Sequence, residues 1–281
     1  MTIKTFAPAK VNLSLHVTGQ DSRGYHLLDS LVVMVDVGDH ITVAPSDRLT
    51  LDVTGPFAQG VPSDSSNLVI KAARLLHPSK VARITLDKHL PPASGIGGGS
   101  SDAAATIRAL VRLWGLPMPS VQELTLLGAD IPVCMSPFLT RMQGIGDQLD
   151  PICPPPDLPI ILVNPRVEVP TSLVFSALQC KTNPSMSTGP SHDDPSWLGW
   201  LSEQRNDLEQ PAISKAPVIA SVLEILRNGQ GCQLVRMSGS GATCFAIMQD
   251  IASRDALAVK LSRLYPEWWV ATGKTCFQNF I

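Results

Sequence analysis

The chain of 281 residues is 44% hydrophobic and 16% charged, which is typical of a globular protein of about two domains and excludes a disordered one. Its 22 basic and 24 acidic residues give a formal net charge of −2 without a basic block, so nucleic acid is not an expected partner. The N-terminal residues lack the apolar core of a signal peptide, and no apolar run approaches the ~18 residues of a membrane span. The six cysteines are scattered and form no CxxC pair, so they predict reduced thiols in a cytoplasmic protein rather than a zinc site.

Alternating apolar and polar side chains predict a strand over residues 5–18, and its polar face carries Lys10 and Asn12 near the start. A lysine at the start of a strand is more often a solvated charge than a functional group, so both interpretations stay open here. A turn between two glycines then leads to Tyr25 and His26. Further strands are predicted at 27–37 with 41–43, 49–53, 81–86, 160–163, 244–248 and 268–272.

A glycine-rich stretch, residues 91–104, follows one of these strands and leads into a predicted helix. Four glycines fall within five positions: Gly95, Gly97, Gly98 and Gly99. Glycine is costly to fix, so the cluster indicates a close approach of the backbone to another group. The helix is predicted to be capped by Ser100 or Ser101 and to end before Gly115. A glycine loop at a helix N-terminus is suited to binding phosphate, and a flexible surface loop is the simpler alternative.

The remaining helices are predicted at 68–76, capped by Asn67, and at 120–127, 171–178, 213–227 and 252–264. Asp130 lies between a helix end and a proline, where it either caps a helical turn or serves as a positioned carboxylate. Residues 151–159 contain five prolines and predict a linker between domains at 1–153 and 160–281. The segment 181–197 is poor in apolar residues and predicts an exposed, mobile excursion. The mixture of strands and helices predicts an α+β fold.

Three standard nucleotide-binding patterns do not fit the glycine-rich stretch. A P-loop carries a lysine after its glycines, and here Ser100 and Ser101 follow instead. A dinucleotide fingerprint needs an acidic residue about 20 positions further on, and residues 117–120 contain none. The HRD and DFG motifs of protein kinases are missing from the sequence as well.

Three separated stretches nevertheless resemble, in order, the motifs of the GHMP superfamily of small-molecule kinases: 8–12 (PAKVN), 91–104, and 237–241 (MSGSG). The resemblance covers essentially the whole chain. It implies a two-domain GHMP kinase fold, with an N-terminal domain of ribosomal-protein-S5-like type and a C-terminal ferredoxin-like domain. It also implies that the protein uses ATP and Mg²⁺ to phosphorylate a small molecule.

Shorter stretches at 7–13, 23–26, 128–132 and 205–209 resemble one branch of that superfamily. Its members phosphorylate the 2-hydroxyl of 4-diphosphocytidyl-2-C-methyl-D-erythritol for non-mevalonate isoprenoid synthesis. The resemblance implies that Lys10 and Asp130 are the catalytic pair. The residues that it assigns to the ATP phosphates are Pro91, Ser94, Gly95, Gly97, Gly98, Gly99, Ser100 and Ser101, with one of the two last serines contacting Mg²⁺. Those that it assigns to the acceptor are Asn12 near the reacting end and Tyr25, His26 and Phe175 around the cytosine.

The chemistry of these residue types agrees with phosphoryl transfer, which needs an aligned hydroxyl, a proton acceptor and stabilised phosphate charge. Another GHMP kinase, of homoserine or mevalonate type, is the first alternative, and a catalytically silent nucleotide-binding relative is the second. Two segments depart from the family pattern, because 92–94 and 164–166 carry other residues where relatives usually have glycine.

Overall fold

The computed structural model describes residues 1–152, 157–190 and 194–276. Its strands are β1 (Ile3–Gln20), β2 (His26–Ala44), β3 (Thr50–Thr54), β4 (Arg83–Asp87), β5 (Leu139–Gly144), β6 (Gln148–Ile152), β7 (Pro159–Asn164), β8 (Cys232–Met237), β9 (Cys244–Met248) and β10 (Trp269–Cys276). Its helices are α1 (Leu68–Leu76), α2 (Gly98–Trp114), α3 (Val121–Leu127), α4 (Ile131–Cys134), α5 (Thr171–Ser176), α6 (Trp197–Glu203), α7 (Glu209–Lys215), α8 (Val218–Arg227) and α9 (Ile251–Leu264).

The N-terminal half is built around the long antiparallel pair of β1 and β2. Strand β2 also pairs antiparallel with β4 and β5, β3 joins β4 in parallel, and β6 pairs with β5. Helix α2 packs on both β1 and β2, and α1 packs on α2. Strand β2 is buried on both faces. Val33 and Val35 pack in one apolar cluster, and Val32 and Met34, which alternate with them, pack in another.

The C-terminal half has a βαββαβ order of β7, α8, β8, β9, α9 and β10, and its strands lie in the order β10-β7-β9-β8 with antiparallel pairing. This is the ferredoxin-like arrangement that was expected, and the α+β fold class is confirmed. The end of β10, at Thr275 and Cys276, also pairs with β2 and so connects the two halves. Residues 153–156 of the expected linker lie outside the described residues, and the domain boundary stays a prediction.

Most predicted elements are confirmed, with ends that differ by a few residues. The single helix predicted over 213–227 is wrong, because Pro217 lacks the N–H that would continue the hydrogen-bond ladder and separates α7 from α8. A turn at 145–147 joins β5 to β6. The sequence patterns miss both of these strands, as well as β8 and α6.

The segment 181–197 is exposed at most of its described positions, as predicted, but it is anchored to the N-terminal half. Met186 is buried, its N–H donates to Asp29 Oδ2 at 2.8 Å, and its carbonyl accepts from Arg141 at 3.0 Å. The N–H of Asn183 donates to the Val17 carbonyl at 3.0 Å. Residues 191–193 lie outside the described residues, and the last residue of the segment already belongs to α6.

Candidate active site

A cavity of about 770 Å³ opens between the two halves of the chain. Its wall combines residues of β1, the glycine-rich stretch, the residues before α4 and helix α5. Residues 238–243 between β8 and β9, which we call the second glycine loop, complete it. The predicted site residues that line it are Lys10, Asn12, Tyr25, His26, Ser94, Gly95, Gly97, Gly98, Gly99, Ser100, Asp130 and Phe175. Two further predicted residues, Pro91 and Ser101, lie outside this lining.

Lys10 lines the cavity but is buried, with only 4% of its side chain exposed. Its Nζ lies 3.1 Å from Asp130 Oδ2 and donates to Asn12 Oδ1 at 2.8 Å. The interpretation of Lys10 as a solvated charge is therefore wrong. Asp130 precedes α4, yet its side chain makes no capping hydrogen bond to a described residue. Its carboxylate is 38% exposed and remains accessible to a ligand in the cavity.

A β-bulge after Asn12 turns the side chains of β1 toward different neighbours. The pairing of β1 with β2 shifts register between Asn12 and Ser14, which interrupts the strict alternation. Lys10, Asn12 and Leu15 consequently line the same cavity. Ser14 and His16 instead contact the segment 181–197, through Met186 Sδ and the Pro184 carbonyl. The polar face that alternation predicted is thus divided between the cavity and this segment.

The side chain of Asn12 is fixed by a hydrogen-bond network that runs away from the cavity. Its Nδ2 donates to Ser30 Oγ at 2.8 Å, and that hydroxyl donates to the Ser14 carbonyl at 2.6 Å. The Asn12 N–H donates to Ser238 Oγ at 3.1 Å. Because Nδ2 is engaged with Ser30, Oδ1 is the atom that faces Lys10. The network therefore positions the ammonium group beside Asp130.

Gly95 and Gly97 have positive φ angles of 76° and 64°, which favour glycine. A Cβ on Gly95 would lie 2.5 Å from the Ser238 carbonyl oxygen, and a Cβ on Gly97 would lie 3.0 Å from side-chain carbons of Lys10. Glycine at these two positions is therefore required by contacts within the protein. Gly99 differs, since its nearest neighbour would be a Leu68 methyl group at 3.6 Å.

Helix α2 begins at Gly98, and Gly97 occupies the cap position without a side-chain hydrogen bond. The prediction that Ser100 or Ser101 caps this helix is therefore wrong. Ser100 lines the cavity, whereas Ser101 is fully buried and its hydroxyl has no hydrogen-bond partner among the described residues. Because residues of the first turn line the cavity, the positive end of a 17-residue helix is directed at it.

The two glycine loops are held together by hydrogen bonds. Ser238 Oγ donates to the Gly95 carbonyl at 3.0 Å, and the Thr243 N–H donates to the Ser94 carbonyl at 3.1 Å. The Ser94 hydroxyl donates to the Pro91 carbonyl at 2.6 Å, so it supports the loop from within. The second loop therefore fixes the shape of the first.

Family comparisons agree with this geometry. The model of the GHMP kinases N terminal domain matches residues 67–148, and that of the GHMP kinases C terminal matches 192–267. The chain is 54% identical to the 4-diphosphocytidyl-2-C-methyl-D-erythritol kinase of Ruegeria pomeroyi, over 98% of this chain and 99% of the relative. The chain belongs to the GHMP kinase family, and within it to the 4-diphosphocytidyl-2-C-methyl-D-erythritol kinases.

Two further relatives support the same family. This GHMP kinase is 52% identical to the Jannaschia sp. protein named 4-diphosphocytidyl-2-C-methyl-D-erythritol kinase, over 96% of each chain. It is also similar to a crystal structure of 4-(cytidine 5'-diphospho)-2C-methyl-D-erythritol kinase, with a TM-score of 0.79 and 29% identity, covering 98% of this chain and 99% of that one. The prediction of a small-molecule kinase is confirmed.

Three aromatic side chains lie at the end of the cavity formed by the start of β2 and by α5. The rings of His26 and Phe175 stack with centroids 4.7 Å apart and an interplanar angle of 21°. Tyr25 is 59% exposed, and the Arg23 guanidinium lies 5.3 Å from the centroid of its ring. Burial, with a smaller effect of Lys181, lowers the pKa of His26, whose buried Nδ1 has no partner in the described ranges.

Some residues around the cavity are not identified by the sequence analysis. Ser30 is one, because it lies in a strongly apolar strand and shows no motif of its own. Thr171 and Ser240 are two others, which line the cavity with their hydroxyl oxygens 2.8 Å apart. Ser240 lies within the third GHMP motif, so a reading of that motif residue by residue would have identified it.

A buried ion cluster lies next to the glycine-rich stretch, and we call it the Lys88 cluster. It consists of Lys88, Asp39 and Asp102, and Lys88 Nζ contacts an oxygen of each acid, that of Asp102 at 2.8 Å. Burial opposes the charge of Lys88, yet Asp102 and Asp39 outweigh it and raise the pKa of this lysine. Burial raises the pKa of Asp102 to about 8, against the pull of Lys88 and together with repulsion from Asp39.

Two of the described residues other than glycine have positive φ angles, Ala93 at 49° and Arg166 at 59°. Both belong to the segments that depart from the family pattern by lacking glycine. The left-handed conformation is therefore kept at these positions at the cost of some strain. The guanidinium of Arg166 lies 5.4 Å from the ring centroid of Phe57, which connects the two halves of the chain outside the cavity lining.

Proposed function

We propose that this GHMP kinase transfers the γ-phosphoryl group of ATP to the 2-hydroxyl of 4-diphosphocytidyl-2-C-methyl-D-erythritol, a step of the non-mevalonate isoprenoid pathway. The observation that carries the proposal is the contact of Lys10 with Asp130 inside a cavity that the glycine-rich stretch and an aromatic group also line. Identity of 54% to a relative of that name supports the choice of acceptor.

Asp130 is the group that we assign to removal of the acceptor proton. Its carboxylate is accessible from the cavity, whereas Lys10 is buried and held in place by Asn12. The adjacent Lys10 ammonium stabilises the negative charge that develops on the attacking oxygen. Lys10 thus orients the hydroxyl, while Asp130 accepts the proton.

The N-terminus of α2 is the place that we assign to the triphosphate. Backbone N–H groups of the first turn have no partner within the helix and bind phosphate oxygens well. Gly98 and Gly99 line the cavity there, so their backbone is accessible to a ligand in it. Side-chain carbons of Lys10 lie beside Gly97, so we place the Lys10 ammonium near the γ-phosphate end of a nucleotide bound in this way.

The residues present fit an ATP-bound Mg²⁺ better than a metal held by the protein alone. No group of three His, Cys, Asp or Glu side chains able to hold a metal occurs in the described ranges. Mg²⁺ retains waters and is usually held by substrate phosphates with one or two protein oxygens. The Ser100 hydroxyl, which lines the cavity, is the oxygen that we assign to it. When bound, Mg²⁺ would neutralise part of the phosphate charge.

The cytosine of the acceptor is assigned to the aromatic end of the cavity. His26 and Phe175 already stack at 4.7 Å, so a base does not fit between them. The outer face of Phe175 and the exposed ring of Tyr25 are the surfaces available for stacking. His26 has a pKa lowered by burial, and because its Nδ1 is buried, Nε2 is the nitrogen that we assign to a hydrogen bond with the base edge.

None of the helices in the described ranges has the length and apolar character needed to cross a bilayer. ATP as donor and cysteines without disulfides among the described residues favour a cytoplasmic location. The small negative net charge supports a small molecule rather than nucleic acid as partner.

The proposal is tested with the purified protein, Mg²⁺-ATP and a panel of acceptor alcohols, with release of ADP as the measurement. We expect turnover with the cytidine diphosphate acceptor and none with homoserine or mevalonate. Turnover with either of those two acceptors instead would establish a different GHMP kinase. Nucleotide binding without turnover on any acceptor would establish a catalytically silent relative.

A further inference from the structure

The Lys88 cluster contacts the glycine-rich stretch from the side opposite the cavity. A Cβ added to Gly98 would lie 3.1 Å from Lys88 Nζ. Gly98 is also the first residue of α2 and lines the cavity. The Lys88 ammonium is therefore separated from the cavity by little more than the backbone of one glycine.

The same cluster fixes the backbone on both sides of the loop. Asp39 Oδ1 accepts the N–H groups of His89 at 2.5 Å and of Leu90 at 2.8 Å, directly before the loop begins. Asp102 belongs to α2, directly after the loop ends. Through Lys88, the two acids join the start and the end of the loop to β2, which carries Asp39.

Stability alone is a weak reason to bury three ionisable groups, because desolvation often exceeds the attraction within such a cluster. The arrangement is also incomplete as a hydrogen-bond network. Asp102 Oδ1 is buried and has no hydrogen-bond partner in the part of the chain that the structure describes. Buried charges that lie beside a cavity despite their desolvation penalty indicate a functional role.

We infer that Lys88 is a positioning residue for the nucleotide, which stabilises the phosphates of ATP through the backbone of Gly98 and holds the loop in its binding conformation. A P-loop has a lysine within its own sequence, and this loop has none. Lys88 places an ammonium group behind the loop, and this is the charged group of the cluster that lies against Gly98. The inference rests on the proposed ATP site.

The test removes the ammonium group but keeps hydrogen-bond donors on the remaining carboxylate, Asp39. Lys88→Gln combined with Asp102→Asn eliminates one ammonium and one acid, and the new amide can still donate to Asp39. Isothermal titration then gives the Kd of ATP, ADP and adenosine. We expect ATP and ADP to bind about tenfold more weakly, and adenosine to change less than about twofold, because only the phosphates interact with the lost charge.

Lys260→Gln is the charge-matched control, since Lys260 is exposed on α9, and it should alter none of these affinities. Equal losses for ATP and adenosine would show a structural role only and overturn the inference. Unaltered affinity of the double variant for ATP would overturn it as well, while leaving the proposed function intact. Failure of the wild-type protein to bind ATP would instead refute the proposed function.

A second measurement decides the matter if the double variant does not fold. The ¹⁵Nζ resonance of Lys88 is followed in the wild-type protein and is assigned with Lys88→Arg. We expect ADP to shift this resonance and adenosine to leave it in place, because only the phosphates of the nucleotide are assigned to the side of Gly98 that faces the ammonium across the backbone. A resonance that ADP does not move overturns the inference.

Discussion

At the scale of single residues, the cavity combines a fixed cation with an accessible acid. Lys10 is 4% exposed and is bound to Asn12, whereas Asp130 is 38% exposed. A buried lysine with two oxygen partners loses little further entropy when a substrate binds, so it can orient a hydroxyl accurately. The acid remains exposed enough to reach the acceptor. This division of roles favours Asp130 as the group that exchanges a proton.

Asp130→Asn tests that role, since it removes the proton acceptor but keeps the shape of the side chain. We expect kcat to fall by about 10²–10⁴, the usual contribution of a general base. The affinity for ATP should change little, because the phosphates are assigned to α2. Steady-state rates and isothermal titration measure the two quantities. Asp255→Asn, at an exposed position, is the control, and an unaltered kcat in Asp130→Asn would remove Asp130 from the mechanism.

His16 lies on the other side of the same strand and links folding to pH. Its Nε2 accepts the Arg205 N–H at 3.3 Å, so its Nδ1 donates to the Pro184 carbonyl at 3.3 Å, and the ring is neutral. Burial, followed by repulsion from Arg205, lowers the pKa of His16 from its usual 6.5, although Asp207 and Asp29 oppose this. The unfolded chain therefore takes up this proton at a higher pH than the folded chain does.

The free energy of unfolding is consequently expected to fall as pH decreases below 6.5, until the folded-state pKa is passed. Above that range the contribution of His16 is fully present. In His16→Gln this decline should be smaller than in the wild-type protein, because glutamine does not titrate. Urea unfolding over a series of pH values measures both slopes. Identical slopes would contradict the assignment.

At the scale of elements, β1 and the glycine-rich stretch depend on each other. The bulge after Asn12 directs Lys10 toward the cavity, and Gly97 leaves the space that the lysine occupies. Gly95 fits against Ser238 in the same way. The glycines that suggested phosphate binding therefore serve two purposes. Some of them admit neighbouring protein groups, and others expose the helix N-terminus.

Gly97→Ala and Gly115→Ala separate these purposes, because both glycines have a φ of 64°. A Cβ on Gly97 would meet Lys10 at 3.0 Å, whereas a Cβ on Gly115 would have no described heavy atom within 4 Å. Both variants should lose about 1–2 kcal/mol of unfolding free energy through left-handed strain.

Only Gly97→Ala should also lower kcat, on the order of tenfold to a hundredfold, because it displaces Lys10. Thermal unfolding and steady-state rates measure the two effects. A normal kcat in Gly97→Ala, or an equal loss in Gly115→Ala, would contradict this account of the loop.

At the scale of the whole molecule, distant parts of the chain meet in one cavity. Lys10 comes from β1, Asp130 from the residues before α4, and Phe175 from the C-terminal half. The loop after β8 joins them through Ser238, which bonds to both Asn12 and Gly95. The α+β class and the family could be predicted, because each carries a local pattern or motif, and most of the predicted site residues line this cavity.

The rest could not be predicted, because it depends on contacts between distant residues. The bulge in β1 follows from its register with β2, and the polar residues beyond it are buried only because the segment 181–197 covers them. The burial of Lys88 depends on contacts with Asp39 and Asp102, which lie 49 and 14 residues away in sequence. Ser30 shows no motif because it lies in a strand of mostly apolar residues.

The 2-hydroxyl of 4-diphosphocytidyl-2-C-methyl-D-erythritol is the group that we expect to receive the phosphoryl group. ³¹P NMR of the product formed with Mg²⁺-ATP identifies the phosphorylated oxygen. Carbon 2 of this acceptor bears a methyl group and no hydrogen, so phosphate on its oxygen has no three-bond proton coupling. We predict one new phosphomonoester singlet that grows in step with ADP. A doublet or triplet, which a secondary or primary alcohol would give, or no new signal, would contradict the account.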